Sequence, residues 1–233
     1  SIVIRNNVID AWMENTKPNR ITTLYGIYGI TTGKVQIYNN TIFRMELSTN
    51  STDPLFANVY GIYSTRFLEY GSKVYNNIVG TLLANNGDGN ATAYSFATFE
   101  DHDYNASSDT TVSDEAHGQV SIDPAIEFID PAHNGNFHLN ARTSTKCKGK
   151  GYNLSNPGFD DAPIDNYDKQ KRTSTWDIGA TAPGQFTDDD IIGPTEAVIL
   201  TFMAPGLRQI YQVEVFPVTE FVALGRVSLT NIK

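Results

Sequence analysis

The densest group of side chains able to do chemistry is Glu100-Asp101-His102-Asp103. Paired carboxylates can serve as acid and base on either side of a glycosidic bond, and clustered oxygens can hold calcium. The same run equally suits a solvated turn ahead of Asp103-Tyr104-Asn105. Asn86-Gly-Asp-Gly-Asn90 has the composition of a calcium loop but lacks the closing bidentate Glu, so a plain tight turn also fits it. Asp188-Asp-Asp190 reads as solvated linker. His133 and His138 have no Cys or His partner at metal-ligand spacing, and His117 stands in a polar, Gly-containing loop. No metal site is assigned and no cofactor is expected, calcium being the one ion that composition suggests. Nucleophile-elbow, phosphate-binding and dinucleotide motifs are absent from the sequence. The single cysteine, Cys147, permits no intrachain disulfide and reads as a buried apolar residue.

A second kind of chemistry is aromatic. Tyr28 and Tyr63 close two copies of Tyr-Gly-Ile-Tyr, and Tyr38 and Tyr75 precede two Asn-Asn pairs. On strands with Ile27 and Ile62 inward, Tyr28 and Tyr63 point outward, one above the other, beside an outward strip of Gly26, Gly61 and Ala93. Tyr38 and Tyr75 are expected to stack outward on the neighbouring strand, next to Arg5. Aromatic faces repeating at a strand spacing of about 4.8 Å suit stacking against sugar rings. Ordinary cross-strand packing beneath long loops accounts for the same pattern.

These side chains need strands to position them, and the sequence supplies strands as a repeat. Ile2-Val-Ile-Arg-Asn-Asn-Val-Ile9, Val35-Gln-Ile-Tyr-Asn-Asn-Thr-Ile42 and Lys73-Val-Tyr-Asn-Asn-Ile-Val79 match one another. Tyr25-Gly-Ile-Tyr28 and Tyr60-Gly-Ile-Tyr63 interleave with them, and Thr92-Ala-Tyr-Ser95 is a weaker third copy. Alternation puts Ile4, Ile37, Ile9 and Ile42 on one face. One period cannot bury that face alone, whereas stacked periods can. Asn at the corner tolerates left-handed φ, and its amide can bond the Asn of the next period. Successive Asn pairs lie 33 and then 37 residues apart, so each period carries a long loop, expected at Met13 to Thr23, Glu46 to Ala57 and Asn85 to Ala91.

Composition narrows the function. The chain has 233 residues, a net charge of −9 and a pI near 4.8. Nucleic-acid binding needs a basic face, and the densest basic run, Lys169-Gln-Lys-Arg172, is short; no nucleic-acid partner is expected. The longest apolar stretch, Ala197 to Pro205, is too short for a helical membrane span of about 20 residues. No signal peptide is read at the start, where the sequence opens directly on the strand-like Ile2-Val-Ile4, as expected of a piece of a longer protein.

From Asp103 to Ala180 the order of motifs resembles the closing turns of right-handed parallel β-helix proteins of the pectate-lyase-like superfamily. The matching pieces are Asp103-Tyr-Asn105, Ser121-Ile-Asp-Pro-Ala125, Asn136-Phe-His-Leu139, Asp165 to Arg172 and Trp176-Asp-Ile-Gly-Ala180. Two pieces depart from the pattern: Ser144-Thr-Lys-Cys-Lys148 stands where Ser-Pro-x-Ile-Asp is usual, and Asp165-Asn-Tyr-Asp-Lys169 lacks the usual Gly. The resemblance implies an all-β fold, a right-handed parallel β-helix (solenoid) with long loops, closing near residue 182. It also implies an extracellular, cell-surface or virion setting and association with polysaccharide, but no particular reaction.

Residues 183–195 read as a linker, and 196–233 as a small β cap or assembly segment with strands at Ala197 to Phe202, Gln209 to Phe216 and Phe221 to Ile232. The expected function is a non-enzymatic structural or attachment module: a phage tail fibre, spike or decoration protein, or a bacterial adhesin. Its expected partners are a surface glycan and further virion or surface chains, its own copies included. The alternative is the C-terminal part of a polysaccharide lyase or glycoside hydrolase, with Glu100, Asp101, His102 and Asp103 as candidate catalytic groups.

Overall fold

The computed structural model describes residues 2–15, 21–29, 33–49, 57–64, 71–84, 89–96, 101–131, 136–141, 145–159, 164–172, 175–181, 198–203 and 210–215. Glu100, His133, residues 86–88, 188–190, the 183–195 linker and the 221–232 strand lie outside the described residues. The elements are β1 (Ile2–Arg5), β2 (Val8–Ile9), β3 (Trp12–Asn15), β4 (Thr22–Gly29), β5 (Val35–Tyr38), β6 (Thr41–Thr49), β7 (Ala57–Ser64), β8 (Lys73–Tyr75), β9 (Ile78–Ala84), β10 (Asn90–Phe96), β11 (His102–Asp103), β12 (Ala106–Ser107), a single helical turn α1 (Pro124–Glu127), β13 (Phe128–Asp130), β14 (Asn136–Leu139), β15 (Val198–Met203) and β16 (Ile210–Val215). The fold is therefore all-β. Two compact units divide the chain, Ser1–Gly184 and Gln185–Lys233. In the second unit β15 and β16 pair antiparallel, Val198 opposite Val215.

The repeat dictates the pairing in the first unit. Three parallel sheets each take strands from successive periods, in the orders β1-β5-β8-β11, β4-β7-β10 and β2-β6-β9-β12. Ile4 pairs with Ile37 and Ile37 with Val74; Ile9 pairs with Ile42 and Ile42 with Val79; Ile27 pairs with Ile62 and Ile62 with Tyr94. Side chains in register share a face, so these columns meet in one core containing Ile37, Ile42, Met45, Leu47, Val59, Ile62, Val74 and Val79. All three loop expectations shorten, since Thr22, Ala57 and Asn90 already begin β4, β7 and β10. Met13 to Asn15 and Glu46 to Thr49 are strand, because β3 extends the third sheet with Trp12 opposite Glu46 and Met13 opposite Leu47.

The Asn-Asn corners do two jobs. The first Asn of each pair holds left-handed backbone: Asn6 at φ 53, Asn39 at 48 and Asn76 at 57, with Tyr104 at 58 in the same place one period on. Asn accepts this region at lower cost than other non-glycine residues. The second Asn turns inward and builds a ladder. Asn7 Nδ2 donates to Asn40 Oδ1 at 2.9 Å, Asn40 Nδ2 to Asn77 Oδ1 at 2.9 Å, and Asn77 Nδ2 to Asn105 Oδ1 at 3.0 Å. Each backbone N–H donates to the same oxygen, at 3.1, 3.0 and 3.0 Å. Glu115, its side chain fully buried, ends the series by accepting from Asn105 N at 2.9 Å and Asn105 Nδ2 at 2.8 Å.

The first Asn of each pair instead grips the backbone at Tyr152, Asp165, Asp177 and Gly179. Asn76 exchanges two bonds with the Tyr152 backbone, at 2.7 and 2.8 Å. Asn39 Nδ2 donates to the carbonyls of Asp177 and Gly179, and Asn6 Nδ2 to that of Asp165. Described residues between 128 and 181 cover the outer faces of two sheets. Leu154, Trp176 and Phe159 pack on Tyr38 and Tyr75 of the first sheet. Phe128, Phe137, Leu139, Cys147 and Ile178 pack on Phe43 and Ile78 of the third. Cys147 is buried there, its thiol pKa pushed up by burial and by nearby Glu127. Glu127, itself buried, accepts from the backbone of Lys146 and Cys147. Arg172 donates to the carbonyls of Gly179 and Ala180 and lies 5.2 Å from the Trp176 ring centroid, its pKa lowered to about 10 by burial.

Candidate functional site

Among the described residues of the three parallel sheets, those of the second, β4-β7-β10, have an outer face that is not part of these two clusters. Its strands begin as alternating runs, with Leu24 and Val59 inward and Tyr25 and Tyr60 outward. At Gly26, Gly61 and Ala93 the register lapses: Tyr25 pairs with Tyr60 and Ile27 with Ile62, with no pair between. A side chain at Gly26 would run into Ile42, and one at Gly61 into Val79, so these glycines face the core. The expected outward strip of Gly26 and Gly61 is thereby corrected. The strand bends where a Cβ has no room, and the bend brings residues three apart onto one face.

The result is four tyrosines instead of two. Tyr25 and Tyr28 stack at 4.6 Å between centroids with planes 15° apart, and Tyr60 and Tyr63 lie 4.6 Å apart. Across the strands, Tyr25 to Tyr60 is 5.6 Å and Tyr28 to Tyr63 is 5.7 Å. Register carries the two columns on to Thr92 beside Tyr60 and Ser95 beside Tyr63, exchanging rings for hydroxyls. Tyr28 is 50% exposed and the other three are half-buried. Partial burial, the largest influence, raises the Tyr25 pKa against an opposing hydrogen bond from Thr23. The Tyr25 phenol is thus neutral at ordinary pH and able to donate and accept. Rings stacked on one another cover part of each other's faces, so the array combines phenol hydroxyls, ring edges and the faces left bare, groups that sugars can contact.

The other proposed pair fares differently. Tyr38 is fully buried, contrary to the expected outward exposure, because Leu154, Phe159 and Trp176 cover it. Tyr38 hydroxyl donates to Gln36 Oε1 within that cover. Tyr75 is half-buried against Tyr152 and Phe159, at 5.8 and 5.2 Å. Burial first and the Asp101 contact second raise the Tyr75 pKa.

The described members of the carboxylate run disperse. Strand β11 pairs His102 with Val74 and Asp103 with Tyr75, so neighbours point to opposite sides. Asp101 accepts from Lys73 Nζ at 2.7 Å and from the Tyr75 hydroxyl. His102 Nδ1 lies 3.1 Å from Glu115 Oε1, and the Glu115 hydrogen bond is the leading cause of its raised pKa. Asp103 binds His117, Nδ1 to Oδ2 at 2.8 Å, and Tyr104 stacks on the His117 ring at 4.2 Å. Asp101, His102 and Asp103 thus each have partners of their own and do not converge on one point. Among the described residues no group of three His, Cys, Asp or Glu is placed to hold a metal, and no helix is long and apolar enough to cross a membrane.

Sequence reasoning passed over Tyr25, Tyr60 and Glu115. The two tyrosines were visible as the first residue of each Tyr-Gly-Ile-Tyr, but strict alternation assigned their faces wrongly. Glu115 stands in an irregular turn with no periodic signal. Compared with known proteins, the chain matches no family model, no curated protein and no solved structure.

Proposed function

We propose that the three parallel sheets are the faces of a right-handed parallel β-helix, and that this solenoid is a non-enzymatic attachment module of a virion or cell surface whose second sheet contacts glycan. The observation that carries the reading is the four-ring array of Tyr25, Tyr28, Tyr60 and Tyr63. It is exposed at Tyr28 and stands on paired strands of one sheet. A row of phenol rings repeating a few ångströms apart fits an extended polysaccharide better than a compact small molecule. Dispersal of Asp101, His102 and Asp103 into separate pairs favours binding over hydrolysis, which needs two carboxyls aimed at one bond.

The test is a panel of neutral and acidic polysaccharides offered to the whole chain. Saturable binding is expected for at least one, weakened about tenfold or more in Tyr28→Ala and Tyr63→Ala, while either variant keeps stability to within about 1 kcal/mol. Unchanged binding with lowered stability would assign the rings to packing alone. Release of reducing or unsaturated ends from any polymer would replace the attachment reading with the lyase or hydrolase one.

A further inference from the structure

The three parallel sheets differ in charge. Strands of the first hold Arg5, Lys73 and Asp103, and those of the third hold Glu14, Arg44 and Glu46. Strands β4, β7 and β10 of the second hold no Asp, Glu, Lys, Arg or His, although such charged types other than His make up 18% of the chain.

A further row lies beside the two tyrosine rows. Thr23 pairs with Asn58 and Asn58 with Asn90, and Asn90 Nδ2 donates to Asn58 Oδ1 at 3.0 Å. Alternation puts this row on the tyrosine face, opposite the inward Leu24 and Val59. The hydrogen bond between Thr23 and Tyr25 joins the rows. On β10 the rows end in Asn90, Thr92 and Ser95, the first exposed and the other two half-buried.

Every side chain of these rows is a phenol, a hydroxyl or an amide. Each both donates and accepts, as sugar hydroxyls do. A carboxylate or sulfate laid on this face would give up hydration and gain no cation in return. The net charge of −9 adds repulsion of polyanions at low salt. We infer that the second sheet selects an uncharged polysaccharide, held across β4, β7 and β10, and discriminates against polymers of acidic sugars. This inference rests on the glycan reading above and narrows it to one class of polymer.

Dextran, galactomannan and xyloglucan, each beside its carboxymethylated form, and polygalacturonate are offered to the whole chain at low and high salt. At least one uncharged polymer is expected to bind, about tenfold or more tighter than its carboxymethylated form, with an affinity that salt changes by less than about twofold. Ser95→Lys places a cation at the end of the Tyr28–Tyr63 row, and Asn90→Lys does so at an exposed position should the first variant fail to fold. Either should narrow the gap between the two forms to about threefold or less at low salt, and restore it at high salt. Tightest binding to an acidic polymer, affinity that falls with salt in the unaltered chain, or an unchanged gap in both Lys variants would overturn this inference. The glycan reading itself would survive those results so long as Tyr28→Ala weakens the binding. Binding to none of the polymers would sink both.

Discussion

Two tyrosine columns in this protein start from the same local design and end in different environments. Tyr38 and Tyr75 stand in register on the first sheet, as Tyr28 and Tyr63 do on the second. Both pairs alternate with core aliphatics and both point away from the core. Tyr38 nevertheless has no exposed surface, whereas Tyr28 is half exposed. The difference comes from residues more than a hundred positions downstream: Leu154, Phe159 and Trp176 lie on one column, and the Asn side chains at the corners hold that segment in place. An outward ring is thus a surface ring only where the rest of the chain leaves it bare.

The contrast can be broken at several points. The largest effect is expected for Tyr38→Ala, which opens a cavity in a closed aromatic cluster. It should cost about 3–5 kcal/mol, a fall in Tm of roughly 10 °C, against at most about 1 kcal/mol for Tyr63→Ala. Equal losses in thermal unfolding would mean that the two columns are equally covered. Next is Asn76→Ala. It removes both bonds to the Tyr152 backbone at a left-handed corner, and about 1–3 kcal/mol should follow. Hydrogen exchange should quicken around residues 150–154 while Val74 and Val79 stay protected; fast exchange in both would place the damage in the core instead.

The smallest effect is a pH dependence. His102 is held above its ordinary value of 6.5, chiefly by the Glu115 hydrogen bond. A group whose folded pKa is raised contributes its stability in full below the unfolded value and loses it as pH rises through the folded one. Stability should therefore decline modestly as pH is taken upward from about 6.5, and Glu115→Gln should flatten that decline. Melting curves across this range decide the matter, and a slope unchanged in the variant would detach His102 from the effect.

Much of the register was legible in the sequence, because a repeat states its own pairing. Asn-Asn at 6–7, 39–40 and 76–77 marks the corners, and the strands on either side pair as those marks require. Local alternation failed where the backbone bends. Gly26 and Gly61 face the core, and the bend adds Tyr25 and Tyr60 to the outer array. It failed again where burial is imposed from far along the chain, since nothing near Tyr38 announces Trp176. The division of labour within each Asn pair was hidden for a related reason. Both residues are the same amide, and only their φ values and neighbours decide which turns in and which reaches out.

Glu115 acts as punctuation. An amide both gives and takes, so every asparagine in the ladder asks for another, and a stack of amides contains no reason to stop. A carboxyl group that only accepts from Asn105 ends the sentence. The amide ladder therefore closes on a side chain that no position of the repeat supplies.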